Sequence, residues 1–303
     1  MLKIFIDGYW SQEKPKSSTD SLLLTLVQRA SGAGIKMVDT AKASDLIILY
    51  PFIPLWQRKR MGLVRRYQKL LGKKPSIKDL MGYPHSNVIA VSHENLDHYA
   101  WSWFANLIFE CQMPRLTFWP QQIDPKGARF PYWWNYVQYE DIELSPNNYS
   151  RYGKPLDLKR LMSPFCQENK RQDSVVFLNR HMRYPRNSQV ALIQDKKQVD
   201  IYMPSSKPWQ GNKYDLISKY KYVFCAENSC GYGYETEKLP EAWDSGTLPV
   251  SYVKNPLGDF NIADWDMSLF DSNNYLINKP LIKEPPDLPS IINYLKKCIG
   301  KDA

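Results

Sequence analysis

The sequence predicts an α/β protein made of two Rossmann-like domains that face each other across a cleft, residues 1–155 and 156–303. Three observations predict it. Continuous apolar runs such as "SDLIILYPF" and "KYVFCA" read as parallel strands buried on both faces. Segments with helical periodicity separate those runs, and the same alternation restarts after residue 155. A chain of 303 residues is long enough to fill two separate cores.

The first half opens on a strand at "KIFI", followed by the helical pattern "SSTDSLLLTLVQRA" with Ser, Thr and Asp as caps in front and Gly32 and Gly34 as stops behind. "IKMV" and "SDLIILYPF" follow as buried strands, and "SNVIAVSHEN" is a further strand ending in a polar turn. The aromatic, proline-rich residues 118–139 and the polar stretch "LSPNNYSRYGKP" close the half, the latter reading as an interdomain linker.

The second half gives strand "SVVFL", helix "PRNSQVALIQD", strand "KQVDIYM", helix "NKYDLISKY" and strand "KYVFCA". A glycine-containing loop comes next, then a short helix over residues 239–245 with Pro240 in its first turn and Gly246 as stop, then strand "LPVSYV". "LPSIINYLKKCIGKDA" reads as a terminal helix belonging to the second domain.

Composition narrows the function classes. There is no run of 18 apolar residues and no signal-peptide pattern at "MLKIFIDGYW", so the expected place is the cytoplasm. Five cysteines and four histidines fall in no metal-ligand spacing, which points to idle or buried thiols. The formal charge of +9 implies an anionic partner, but no RNP, KH or helix-turn-helix pattern accompanies it, and nucleic acid is not expected. Much of the excess lies in residues 58–74 of "WQRKRMGLVRRYQKLLGKKP", whose cations include Arg58, Arg66 and Lys74. The apolar residues there fit a helical stripe. Such a helix either lies on anionic lipid at the inner face of a membrane or keeps its stripe in the core.

The chemistry concentrates in "AENSCGYGYETEKLPEAWDSGTLPV", residues 226–250, which leaves its strand at the carboxyl edge of the sheet. Gly231 and Gly233 allow close backbone approach, and the helix start after them offers unpaired N–H groups to an anion. Lys238 stands at that helix start against the macrodipole preference, a conflict that a bound phosphate would resolve. Glu237 is placed to accept hydroxyls of a sugar diol. Alternatively, Glu237 and Lys238 pair with each other, and Glu227 and Asn228 hold the loop through its backbone N–H groups.

The ordered residues Glu227, Asn228, Ser229, Gly231, Tyr232, Gly233, Tyr234, Thr236, Glu237, Lys238, Thr247, Pro249 and Val250 closely resemble the signature of the α-1,3/4-fucosyltransferases, glycosyltransferase family 10, especially the bacterial members. Weaker similarities extend over most of the chain: "LKIFIDGYW", "SDLIILYPF", "VSHENLD", "ARFPYWWNY" and "RYPRNSQVAL". The sequence departs from that pattern at Ala226 in place of an aromatic, at Glu235 in place of Val, and at "VDIYM". The basic segment and the heptad-repeat tail of bacterial members have no matching counterparts.

The resemblance implies a GT-B-like enzyme that moves L-fucose from GDP-fucose, with inversion, to a hydroxyl of a GlcNAc-containing oligosaccharide or glycolipid in α-1,3 or α-1,4 linkage. It places Glu94 as catalytic base. Arg186, Glu227, Asn228, Tyr232, Tyr234, Glu237 and Lys238 fall at donor-binding positions. Trp133 and Trp134 are candidates for stacking on the acceptor sugar. No D-x-D motif occurs in a suitable strand-end loop, so Arg186 and Lys238 are expected to neutralise the leaving diphosphate with no metal or other cofactor. Two readings compete within the fold: a transferase using another nucleotide sugar, suggested by Ala226 and "VDIYM", and a glycan-binding protein without catalysis.

Overall fold

The computed structural model describes residues 1–10, 14–166, 171–180, 182–227, 229, 231–252, 257–261 and 279–300. The chain forms two compact units, Met1–Tyr132 with Asp287–Ala303, and Trp133–Pro286.

The first unit is built on a sheet of β1 (Leu2–Asp7), β2 (Ile35–Met37), β3 (Leu46–Leu49), β4 (Val88–Ser92), β5 (Arg115–Thr117) and β6 (Ala128–Arg129). Its order is β2-β1-β3-β4-β5-β6 and every pairing is parallel. β3 and β4 are buried at every residue, as strands covered on both faces must be. The helices are α1 (Leu22–Ser31), α2 (Leu55–Leu70), α3 (Ile77–Met81) and α4 (Ser102–Glu110). α1 ends at Gly32, whose φ of 63° supplies the left-handed stop. Gly8 ends β1 with the same φ, and a Cβ there would meet the Tyr50 carbonyl oxygen at 2.3 Å. Only glycine lets the β1 and β3 exits run so close.

The second unit opens with α5 (Leu158–Leu161) and carries β7 (Gln172–Leu178), α6 (Arg186–Gln194), β8 (Val199–Tyr202), α7 (Lys213–Ile217), β9 (Tyr220–Phe224), α8 (Lys238–Asp244) and β10 (Leu248–Val250). Its parallel sheet has the order β10-β9-β7-β8. The chain runs outward from β7 to β8, then crosses to the other side of β7 for β9 and β10. The β7–β9 boundary is therefore the point where strand order reverses.

Two sequence expectations are corrected here. The terminal helix, α9 (Leu288–Cys298), packs on α1 in the first unit instead of joining the second. It buries Leu288, Ile291 and Leu295 there, and full burial of such side chains is worth about 1.5–3 kcal/mol each. The stretch read as a linker is part of the second unit's core. Tyr149 and Tyr152 are buried, and the Arg151 and Tyr152 carbonyls accept the first N–H groups of α7.

Candidate functional site

In the second unit, Arg186 enters from the first turn of α6, after β7, while Glu227, Thr236 and Lys238 lie in and after the loop that leaves β9. The β7–β9 boundary thus brings together residues far apart in sequence. Asn179, the first residue beyond β7, is held to the sheet by its N–H bond to the Tyr202 carbonyl, and its Oδ1 accepts from Arg186 Nη1 at 2.8 Å. Arg186 is buried. Desolvation lowers its pKa, opposed by the nearby negative charge of Glu227 and by Tyr234.

Glu227 is the hub. Its Oε1 accepts from the Thr236 N–H (3.1 Å) and hydroxyl (2.7 Å), and its Oε2 accepts from Lys238 Nζ at 2.8 Å. Lys238 Nζ also donates to Thr236 Oγ1 at 2.8 Å. Burial works against the ammonium charge, but Glu227 and Glu237 outweigh it and raise its pKa, with Arg186 pushing the other way. The Lys238 side chain is 24% exposed and Glu227 only 4%, so the cation is the outward member of the pair. An ammonium has three donors, and these two bonds account for two of them.

Beneath lies a second charged group. Lys213, the first residue of α7, is buried with its Nζ 2.5 Å from Glu241 Oε2 and 3.6 Å from Glu237 Oε1. Glu237 is held down at a pKa of about 2: burial raises it, and Lys238, Lys213 and Arg151 together overcome that. Glu241 goes the other way, because desolvation dominates over Lys213. The two carboxylates that share Lys213 are thus shifted in opposite directions.

Glu235, the residue that departs from the resembled signature, ties the loop to residues 258–259. Glu235 is buried, and its Oε2 accepts the Asp259 N–H at 2.6 Å. A Cβ on Gly258 would fall 1.8 Å from Glu235 Oε1. Asp259 Oδ2 in turn accepts from Trp133 Nε1 at 2.9 Å.

The sequence-level candidates are placed as follows. Arg186, Glu227, Tyr234 and Lys238 come together. Tyr234 is buried and Tyr232 exposed. Asn228 lies outside the described residues. Glu227 spends both oxygens holding Thr236 and Lys238, so it anchors the loop and answers the macrodipole conflict at Lys238. Glu237 is enclosed against Lys213 and does not present an open carboxylate to a diol. Trp133 and Trp134 belong to the second unit and are buried, Trp133 completely, with its ring against Phe260. Neither offers a free face to a sugar.

Glu94, in the first unit, is half-buried in the turn after β4, where its N–H donates to Ser92 Oγ and its carbonyl accepts from the same hydroxyl, both at 3.2 Å. Beside it, the His93 ring packs near Phe130 and Tyr132. His93 Nδ1 is enclosed with no hydrogen-bond partner among the described residues. Burial lowers the imidazole pKa to about 4, against a backbone hydrogen bond at Phe130 that acts to raise it. Among the described residues no three His, Cys, Asp or Glu side chains form a metal-ligand set.

No protein-family model matches the chain. A stretch of 65 residues is 43% identical to an α-(1,3)-fucosyltransferase of Helicobacter pylori, covering 21% of this chain and only 13% of that relative's length. Two solved α1,3-fucosyltransferase structures are similar over the whole chain. One was crystallised with GDP (TM-score 0.60, 17% identity) and one with GDP-fucose (TM-score 0.56, 16% identity), and each is covered over 91% of its length. The chain has the α/β fold of those structures, with two parallel sheets.

Proposed function

We propose that this protein is a GDP-fucose-dependent fucosyltransferase of glycosyltransferase family 10. The observation that carries the reading is the meeting of Arg186 and Lys238 around Glu227 at the β7–β9 boundary. A strand-order reversal is where open parallel sheets take nucleotides, and two fixed cations there suit a diphosphate. The local likeness to the Helicobacter enzyme and the fold of the crystallised enzymes support the choice of donor.

In the proposed reaction the acceptor hydroxyl attacks the anomeric carbon of fucose as the bond to the diphosphate breaks. The bonding pair leaves with GDP, configuration inverts, and the hydroxyl proton passes to the Glu94 carboxylate. A positioned base of this kind contributes roughly 10²–10⁴-fold. Charge grows on the leaving oxygen, where Arg186 and Lys238 stabilise it more strongly than in the ground state, so no metal is needed. A GlcNAc-containing oligosaccharide or glycolipid is the proposed acceptor, with α-1,3 or α-1,4 linkage.

The test is GDP release from GDP-fucose with N-acetyllactosamine and related acceptors, with and without EDTA, followed by product mass and linkage analysis. EDTA-insensitive turnover is expected. Thermal shifts with GDP, UDP and dTDP separate the donors, and a larger shift with UDP or dTDP would move the reading to another nucleotide sugar. Absence of both GDP binding and turnover with every acceptor would overturn the proposal.

A further inference from the structure

α2 carries its apolar stripe on a face other than the one it buries. Met61 and Gln68 are its buried residues, yet Trp56, Leu63, Tyr67 and Leu70 are 66%, 67%, 64% and 85% exposed. At 100° per residue these four fall within a sector of roughly 60°, about 130° away from the buried pair. Lys59 and Arg66 flank the stripe on one side and Arg60 on the other, all exposed. Lys69, Lys73 and Lys74 extend the positive surface beyond it.

The remaining cations of the helix are occupied. The Arg58 guanidinium lies 5.2 Å from the Trp103 ring centroid, and Arg65 Nη2 pairs with Glu110 Oε2 at 2.9 Å, tying α2 to α4. The two functions of the segment are thus separated by face: inward arginines fix the helix, and outward cations border exposed apolar side chains. Residues 46–78 contain no Asp or Glu at all.

We infer that the solvent face of α2 docks on an anionic lipid bilayer, with Trp56, Leu63, Tyr67 and Leu70 entering the interface and Lys59, Arg60 and Arg66 meeting the headgroups. Charge complementarity selects the occupant. A one-signed stripe in a segment without Asp or Glu has no alternation of charge of its own to fix register with a folded partner, whereas a lipid surface requires none. Trp and Tyr set among Leu and cations suit the headgroup level, where apolar body and polar tip are both satisfied. The stripe forms a ridge on one helix, fit to lie on a plane. No described helix is long and apolar enough to cross a membrane, so the contact is a surface one. The inference stands independently of the transferase reading.

The test is sedimentation of the full chain with vesicles of phosphatidylcholine alone and of phosphatidylcholine with one third phosphatidylglycerol. Partition roughly tenfold or more in favour of the anionic vesicles is expected, falling steeply with salt. Lys59→Glu and Arg66→Glu should each lower it by roughly fivefold or more. Leu63→Glu with Leu70→Glu should bring it to the level of neutral vesicles while leaving the melting temperature unchanged, since both side chains are exposed. The emission difference between the parent and Trp56→Phe should shift to the blue on anionic vesicles. Equal partition onto both vesicle types overturns the inference, as does parent-like binding by the Leu63→Glu, Leu70→Glu chain. Retention on immobilised polyglutamate without vesicle binding would assign the face to an acidic protein instead.

Discussion

Lys238 Nζ sits 2.8 Å from Glu227 Oε2, and the Thr236 hydroxyl lies 2.8 Å from that ammonium and 2.7 Å from Glu227 Oε1. A cation, a carboxylate and a hydroxyl that orients both form one closed unit, and the cation is its exposed corner. Within such a unit, positioning and ligand binding can be separated by substitution.

Lys238→Met should lose both. It leaves the buried Glu227 carboxylate without its cation, which costs about 1–3 kcal/mol of stability, and it removes the charged donor proposed for the diphosphate, which should weaken GDP binding about tenfold or more. Adding Glu227→Gln removes the stranded charge. The double variant should therefore regain most of the lost melting temperature and none of the GDP affinity, as read by thermal unfolding and calorimetry. Recovery of affinity together with stability would show that Lys238 is structural only.

Lys213 serves a different purpose. Its ammonium lies close to two buried carboxylates, Glu237 at 3.6 Å and Glu241 at 2.5 Å. Lys213→Met should destabilise the protein by about 3–5 kcal/mol, because breaking a buried pair leaves an uncompensated charge. Glu241→Gln in the same chain should recover much of that loss, since it removes the carboxylate left without its partner at 2.5 Å. Urea unfolding of the two variants checks both signs.

The acid limb of stability should belong to Glu237. Its folded-state pKa near 2 is below the ordinary glutamate value of 4.5, so the folded state binds its proton less tightly than the unfolded chain. The stabilisation it contributes is fully present above pH 4.5 and is lost as pH falls toward 2. Glu237→Gln should flatten the fall in melting temperature across that window. An equally steep fall in the variant would place the acid sensitivity elsewhere.

How much of this was legible in the sequence follows from which forces are local. Strand runs and the β9 loop are written in contiguous residues, so β3, β4, β9 and the setting of Lys238 could be read directly. The pairing of Lys238 with Glu227 instead of Glu237 could not, because it depends on how a nine-residue separation folds back to bring Thr236 under the carboxylate. The short strands β5 and β6 carry too few residues for a period to show. Adjacency in sequence favours the second unit for α9, and its amphipathic face says only that it is covered, while the partner that covers it is α1. The exposed stripe of α2 has the same helical spacing as a core stripe, and only burial tells them apart.

Glu235 offers a test of a departure from the resembled signature. The signature carries Val at that position, but here a carboxylate accepts the Asp259 N–H at 2.6 Å and lies hard against Gly258. Glu235→Val should leave that N–H without its acceptor and cost about 1–3 kcal/mol. Gly258→Ala should be at least as damaging, since its Cβ would occupy the carboxylate's place. A melting temperature unchanged by either substitution would show that this loop contact contributes nothing to the fold.

The last prediction concerns which group takes the acceptor proton. Glu94 and His93 are neighbours, and their chemistry differs. Burial that lowers the His93 pKa to about 4 keeps the ring neutral at pH 7 and makes it a poor base, and it means that folding opposes protonation of the ring. Its contribution to stability is therefore lost as pH falls from 6.5 toward 4, while nothing about it changes between pH 7 and 8. Glu94→Gln should lower kcat roughly 10²–10⁴-fold with little change in KM for GDP-fucose. His93→Phe keeps the ring contacts to Phe130 and Tyr132, and should preserve turnover and the shape of the pH–rate profile. An acid limb of the pH–rate profile that disappears in His93→Phe would transfer the base role to the histidine.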